Sequence, residues 1–233
     1  MITVISLGGS IIAPAAIDID FLKNFSALVD LLLTEDIDRK FIFVVGGGGT
    51  ARDYQRAFFS VAGTGGQNTA ENADWIGIMA TRLNAQLIKA ILCRYCPHDI
   101  VIDPTQADIF TGRVLVAAGW KPGFSSDNDA VILAERFNAK TVINLSNIPQ
   151  VMTSDPKKNP DAKPLDKISW KDFRAMVGDT WTPGKNVPFD PIASKRADES
   201  GIKVICAAGK DLQNFAKIIR GEPFLGTIID QYI

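Results

Sequence analysis

Two strings decide the fold: ITVISLGGS at residues 2–10 and FIFVVGGGGT at residues 41–50. Each is a short run of Ile, Val, Leu and Phe that stops at glycines, the pattern of a strand buried on both faces of a parallel sheet and feeding a tight turn. Between them Ile19, Leu22, Phe25, Leu28, Val29 and Leu32 recur at helical spacing, with Asp18 or Asp20 placed to cap the first turn. Two parallel strands need such a crossover helix, so the opening of the chain is a β-α-β unit, and a polar helical stretch from Thr50 extends it to β-α-β-α.

The same alternation continues outward. After a flexible break at Gly63–Gly66 with Gln67 and Asn68, the helical period returns over 71–95 through Trp75, Ile78, Met79, Leu83, Leu87 and Ile91. Short β-like runs follow at 99–102 and 113–117, then a helix over 127–138, a strand at 140–145, a helix at 190–200, a strand at 203–207, a helix at 211–219 and a last strand at 226–230. Segments 153–166 and 179–191, rich in Pro, Lys and Gly, read as exposed loops bordering a site. The expected fold class is α/β, a three-layer αβα sandwich with a mainly parallel central sheet. One domain over 1–233 is the default for this length.

Composition narrows the partners. With 25 Lys and Arg against 26 Asp and Glu, the net charge of −1 supplies no broad attraction for nucleic acid or an anionic membrane. No apolar run approaches a membrane span, and the first residues lack a basic region followed by a cleavable apolar segment, so a cytoplasmic location is expected. Three cysteines suit a reducing compartment; Cys93 and Cys96 form a lone C-x-x-C at the end of an amphipathic helix and read as structural thiols rather than metal ligands. The one histidine, His98, is not expected to act.

The chemistry should lie at the glycine turns. Glycine lets the backbone approach an anion closely, and the helix that follows offers unpaired N–H groups and the positive end of its dipole. Two such turns, Gly8-Gly9-Ser10 and Gly46–Gly49, suggest two phosphate-bearing ligands, although glycines also serve simply to make tight turns. Neither run fits the Walker pattern, and GGGGT lacks the glycine spacing and ribose-binding acid of a dinucleotide fold.

Beyond the opening, VVGGGGTARDY at 44–54, DWIGIMATRLNA at 74–85, PGFSSDNDAVILAE at 122–135, TSDPKKNPDAKPLDKIS at 153–169, DPIASKRADESGIKV at 190–204 and GEPFLGTII at 221–229 follow in order. In these strings the chain resembles, end to end, the amino acid kinase family and within it the archaeal-type UMP kinases. The resemblance implies transfer of the γ-phosphoryl of ATP to UMP in pyrimidine nucleotide biosynthesis, with Mg²⁺ required and assembly into a homohexamer. It implies an acceptor-side portion at about 1–135 and an ATP-side portion at about 136–233. Gly47 and Asp74 would hold UMP, Asp74 accepting from the ribose hydroxyls, with Trp120, Lys121, Pro122, Gly123, Phe124, Ser125 and Ser126 closing over base and phosphate. Gly9, Ser10, Gly48 and Arg52 would contact the transferring phosphates, with Arg52 the main cation. Ser146, Asn147, Met152 and Asp155 would lie along the ATP nucleoside, and Asp127 would orient the phosphates or a Mg²⁺-bound water. No side chain is expected to ligate the metal directly.

The chain departs from the family pattern in two places. A strand-one lysine that many members carry is Ser6 here, leaving Lys121, Lys157 or Lys158 as available cations. The usual Asn-Val-Asp-Gly-Val-Tyr is Asn147-Ile148-Pro149-Gln150-Val151-Met152, which removes a turn glycine and an aromatic surface, so that Met152 would have to pack against the purine. These departures keep two other functions in view: an ATP-binding storage or regulatory protein similar to the molybdenum storage proteins, and a kinase for another small phosphate or carboxylate acceptor.

Overall fold

The computed structural model describes residues 2–180 and 187–233. The chain runs β1 (Ile2–Leu7), α1 (Gly9–Ile12), α2 (Ile19–Glu35), β2 (Lys40–Val45), α3 (Gly48–Ala62), α4 (Thr69–Ile91), a 3-10 turn at Pro104–Gln106, β3 (Val114–Ala117), α5 (Ser126–Arg136) and β4 (Thr141–Ser146). It continues through β5 (Val151–Met152), β6 (Pro164–Leu165), β7 (Lys167–Ser169), α6 (Trp170–Val177), α7 (Pro191–Glu199), β8 (Lys203–Ala208), α8 (Leu212–Arg220) and β9 (Thr227–Asp230). Seven strands form one sheet in the order β3-β2-β1-β4-β8-β9-β7, and β5 and β6 pair in a small antiparallel ribbon. The pairs from β3 across to β8 are parallel; β9 is antiparallel to β8 and parallel to β7.

Alternation along the buried strands assigns the two faces. Ile5 and Leu7 of β1, Phe41, Phe43 and Val45 of β2 and Ile143 and Leu145 of β4 pack with Phe21, Phe25 and Leu32 of α2, Ile88 of α4 and Phe215 of α8. Val4, Ile42, Val44, Val142 and Val204 point the other way, onto Val131 and Leu133 of α5, Phe173 of α6 and Ala193 and Ala197 of α7. With period two, Ser6 shares the face of Val4, which places its hydroxyl beneath α5. Helix α3 stands outside both clusters: Gly49 is its one buried residue, and it packs against α1 and α4.

The expected three-layer αβα arrangement with a mainly parallel sheet is the observed one. Asp18, not Asp20, caps α2, its carboxylate accepting from Phe21 N at 2.9 Å. Differences are local. The helix expected from Thr50 starts at Gly48 and that expected over 71–95 spans Thr69–Ile91, while the run at 99–102 supplies only a bridge from Val101 to Ala117. The loop expected over 153–166 ends in β6, and β7 and α6 follow where no element was foreseen. Of the second expected loop, 179–191, residues 181–186 lie outside the described residues.

Candidate functional site

The two glycine turns meet at the carboxyl ends of β1 and β2. Gly8 N donates to Leu145 O (2.9 Å), Gly46 N to Leu7 O (3.0 Å) and Gly49 N to Ala13 O (2.7 Å), so the turns are stitched to each other and to β4. Their contact is backbone on backbone: a Cβ on Gly9 would lie 2.1 Å from Gly48 N, and Gly48 itself has a φ of 63°. These glycines are therefore needed for the turns to interlock, before any ligand is considered. Gly47, the N-cap of α3, offers no side-chain cap, so the first turn of that helix is satisfied only in part, by the Gly49 N–H on Ala13 O. Asn84 of α4 fixes the second turn from below, donating to Gly46 O (2.9 Å) and Gly47 O (3.1 Å).

On one side of the turns lies the segment 119–126. Asp74 of α4 accepts from Gly123 N (3.2 Å). Trp120 and Phe124 pack at 4.8 Å between ring centroids, and the Lys121 ammonium sits 3.9 Å from the Trp120 centroid and 4.9 Å from that of Phe124. Pro122 and Gly123 form the turn between them, Ser125 caps α5 by accepting from Asn128 N (3.2 Å), and Ser126 opens that helix. Of the residues expected on the acceptor side, Asp74 and the segment Trp120 to Ser126 thus lie together, while Gly47 belongs to the second glycine turn.

On the other side, Asn147 at the end of β4 donates from Nδ2 to Ser10 Oγ (3.0 Å), which joins a residue expected on the nucleoside to one expected on the phosphates. Ser146 O accepts from Gly209 N (2.8 Å) at the adjacent end of β8. Met152 lies in the β5–β6 ribbon, and Asp155 turns its carboxylate back to Lys157 N (3.0 Å) in an Asx turn. Arg52 donates to Pro14 O (3.1 Å) from the exposed side of α3. The replaced stretch Pro149-Gln150 has a local reason: Gln150 is buried and donates to Asp166 Oδ1 (2.8 Å) and Gly226 O (3.1 Å), docking the ribbon onto the start of β9.

Beneath the turns sits a carboxylate cluster. Asp127 Oδ1 accepts from Ser6 Oγ (2.8 Å) and Oδ2 from Asp190 N (3.2 Å), so the residue in place of the usual lysine binds the α5 acid directly. Burial pushes the Asp127 carboxyl up to about 6, an effect opposed by the Ser6 hydroxyl and reinforced by the charge of Asp190. Asp129, wholly buried, rises to about 7, chiefly through burial, opposed by the Trp120 N–H and reinforced by Asp127, Asp103 and Asp190. Asp190 is raised by burial as well. Of these groups the sequence singled out only Asp127. Ser6 stands out in the sequence as a departure but not as its partner, and Asp190, Asp129 and Asn84 carry no motif that singles them out. The available signal was the alternation that turns Ser6 toward α5.

The model of the amino acid kinase family matches residues 1–208. The chain belongs to the amino acid kinase family. Among its relatives it is similar to the uridylate kinase of Pyrococcus abyssi, 34% identical over 94% of this chain and 95% of that protein, and to the uridylate kinase of Thermoplasma volcanium, 35% identical over 98% and 97%. Of solved family structures it is similar to the uridylate kinase of Archaeoglobus fulgidus, with a TM-score of 0.82 and 30% identity over 98% of this chain and 100% of that one.

Proposed function

We propose that this chain is an ATP-dependent uridylate kinase, transferring the γ-phosphoryl of ATP to UMP to give UDP and ADP. The observation that carries the reading is the interlocked pair of glycine turns at the ends of β1 and β2, flanked by the Asp74–Gly123 wall on one side and the Ser10–Asn147 pair on the other. Two ligands meeting phosphate to phosphate over those turns suit in-line transfer, in which an oxygen of the UMP phosphate attacks the γ-phosphorus and the bond to the ADP oxygen breaks.

In this reading Asp74 accepts from the UMP ribose hydroxyls, Gly47 approaches its phosphate, and Trp120 through Ser126 cover base and phosphate. Gly9, Ser10 and Gly48 present backbone and hydroxyl donors to the transferring group, and Arg52 supplies a guanidinium that follows charge as it spreads over the γ-oxygens. Ser146, Asn147, Met152 and Asp155 border the ATP nucleoside. Asp127, fixed by Ser6 and Asp190 N, organises the floor of the site.

Mg²⁺ fits as an ion carried by the nucleotide. Among the described residues no group of three or more His, Cys, Asp or Glu could hold a metal, and Mg²⁺ binds readily through phosphate oxygens and retained waters. When bound it would neutralise charge between donor and acceptor above a floor that already carries Asp127, Asp129 and Asp190.

The wider reading is one domain over 1–233, with its acceptor-side portion at about 1–135 and its ATP-side portion at about 136–233. The enzyme serves pyrimidine nucleotide biosynthesis in the cytoplasm, a location supported by three free cysteines, and among the described residues no helix is long and apolar enough to cross a membrane. It assembles as a homo-oligomer, a hexamer by family likeness; support comes from the packed α3 and α4, which leave Tyr54, Val61, Met79 and Leu83 largely exposed, with Val61 at 91%. A coupled assay of ADP formation from ATP and Mg²⁺, run in parallel with UMP, CMP, dUMP, acetylglutamate and no acceptor, tests the function. Strong UMP-dependent turnover is expected; ATP binding without acceptor-dependent turnover would overturn the reading.

A further inference from the structure

Asp129 is costly for the fold. It lies in α5 among Ala130, Val131, Leu133 and Ala134 with no exposed surface, and three further carboxylates, Asp127, Asp103 and Asp190, act on it. A buried carboxylate is tolerated when its oxygens are partnered. Here one is not: among the described residues Oδ1 has no hydrogen-bond partner, and Oδ2 accepts from Trp120 N, at 3.1 Å. Helix capping does not explain the residue, because Ser125 already caps α5.

The same peptide is gripped from the opposite helix. Arg82 of α4 donates from Nη2 to Trp120 O (3.1 Å), and its shielded Nε has no partner among the described residues. The neighbouring Thr81 Oγ1 accepts from Gly119 N (2.8 Å). A buried carboxylate and a half-buried guanidinium, each with a shielded atom that lacks a partner among the described residues, therefore converge on the N–H and C=O of one residue. Beyond the peptide, the Lys121 ammonium lies over the Trp120 ring, and Asp74 holds Gly123 N at the far end of the segment. Asp103 also faces the assembly: its carboxyl is held below the usual range first by the Thr105 hydroxyl, with Lys121 and the Trp120 side chain contributing.

We propose that Asp129 and Arg82 are positioning residues that clamp the Trp120 peptide, so that the indole stands as a preset wall against which the pyrimidine of the acceptor packs. The clamp rests on the uridylate kinase reading for its substrate, though not for its existence. An apolar side chain would fill the Asp129 site at lower cost, and the carboxylate is retained because it fixes where Trp120 points. A preset aromatic plate lowers the ordering cost of binding a flat base.

Two variants separate the charge from the clamp. Asp129→Val fills the space but offers Trp120 N nothing to donate to; Asp129→Asn keeps a carbonyl oxygen there. Leaving a buried donor unpaired corresponds to roughly tenfold in binding, so Asp129→Val should raise KM for UMP by about that factor with KM for ATP within about twofold, while Asp129→Asn stays near wild type. Hydrogen exchange across residues 118–124 of the nucleotide-free protein should speed up in Asp129→Val and not in Asp129→Asn. Equal effects of the two variants on KM for UMP and on exchange, or unchanged exchange in Asp129→Val, would overturn the clamp. Wild-type protein that fails to phosphorylate UMP while the exchange pattern holds would remove the substrate assignment and leave the clamp standing.

Discussion

Segments 119–126 and 154–159, one on each side of the glycine turns, are built by opposite means. The first is pinned by other elements: Thr81 and Arg82 from α4, Asp129 from α5 and Asp74 from α4 again. The second bonds to itself, with Asp155 accepting from Lys157 N through its side chain and from Lys158 N and Asn159 N through its carbonyl, and Ser154 Oγ accepting from Asn159 Nδ2 (2.9 Å). A loop held by the scaffold presents a fixed surface, whereas one held by its own turns keeps its shape but not its place. On this account the acceptor side selects its ligand and the donor side adapts to one.

The largest effect should come from the shared hinge of the two sides. In Gly9→Ala the new methyl would meet the Gly48 backbone at 2.1 Å and force the turns apart. Overpacking of that kind should lower Tm by about 5 °C or more and reduce kcat/KM at least about a hundredfold for both substrates. Thermal melts and steady-state kinetics check it, and a loss confined to one substrate would mean that the turns act independently.

Next in size is Arg52→Ala, which should lower kcat by roughly a hundredfold with KM for UMP within about threefold, as expected for a cation acting on the transferring group. A rise in KM for UMP with kcat unchanged would return Arg52 to tethering Pro14.

The two sides separate under milder changes. Asp74→Asn should raise KM for UMP by about tenfold and leave KM for ATP alone, whereas Asp155→Ala should shift KM for ATP by a few-fold and leave UMP alone. Crossed effects in the kinetics would erase the distinction drawn above.

The smallest expected change concerns pH. Asp129, at about 7 in the folded chain, lies above its ordinary value of 3.8, so folding takes up a proton. The stability this contributes is complete below the ordinary value and is lost as pH rises through about 7; Asp127, at about 6, behaves in the same direction. Asp129→Asn should therefore match wild type near pH 4 and exceed it in Tm at pH 8, the gap opening between those two values. Melting curves across that range measure it, and an Asn variant less stable at pH 8 would contradict the buried charge.

What the sequence makes legible follows from the range of the signal. The runs at 2–7 and 41–45 are buried on both faces and end at glycines, so local composition suffices to place the sheet and its turns. The two- and three-residue strands β6 and β7 carry no period, and the one-turn helix α1 is shorter than any helical repeat, so none of them stands out. The same holds within the site. Asp74 and segment 120–126 can be found as motifs, but the partnership of Ser6 with Asp127 spans the sheet-to-α5 interface, and that of Asp129 with Trp120 depends on a loop folding back over its own helix. Arg82 and Asn84 look like ordinary helix residues until the glycine turns and the Trp120 peptide are brought against them.

The most direct test of the account is phosphorus NMR of the protein with ATP, Mg²⁺ and UMP, followed as products form. The account predicts that UDP and ADP appear in equal amounts and that ATP is untouched when UMP is omitted; ATP consumed without UDP, or no turnover at all, would contradict it.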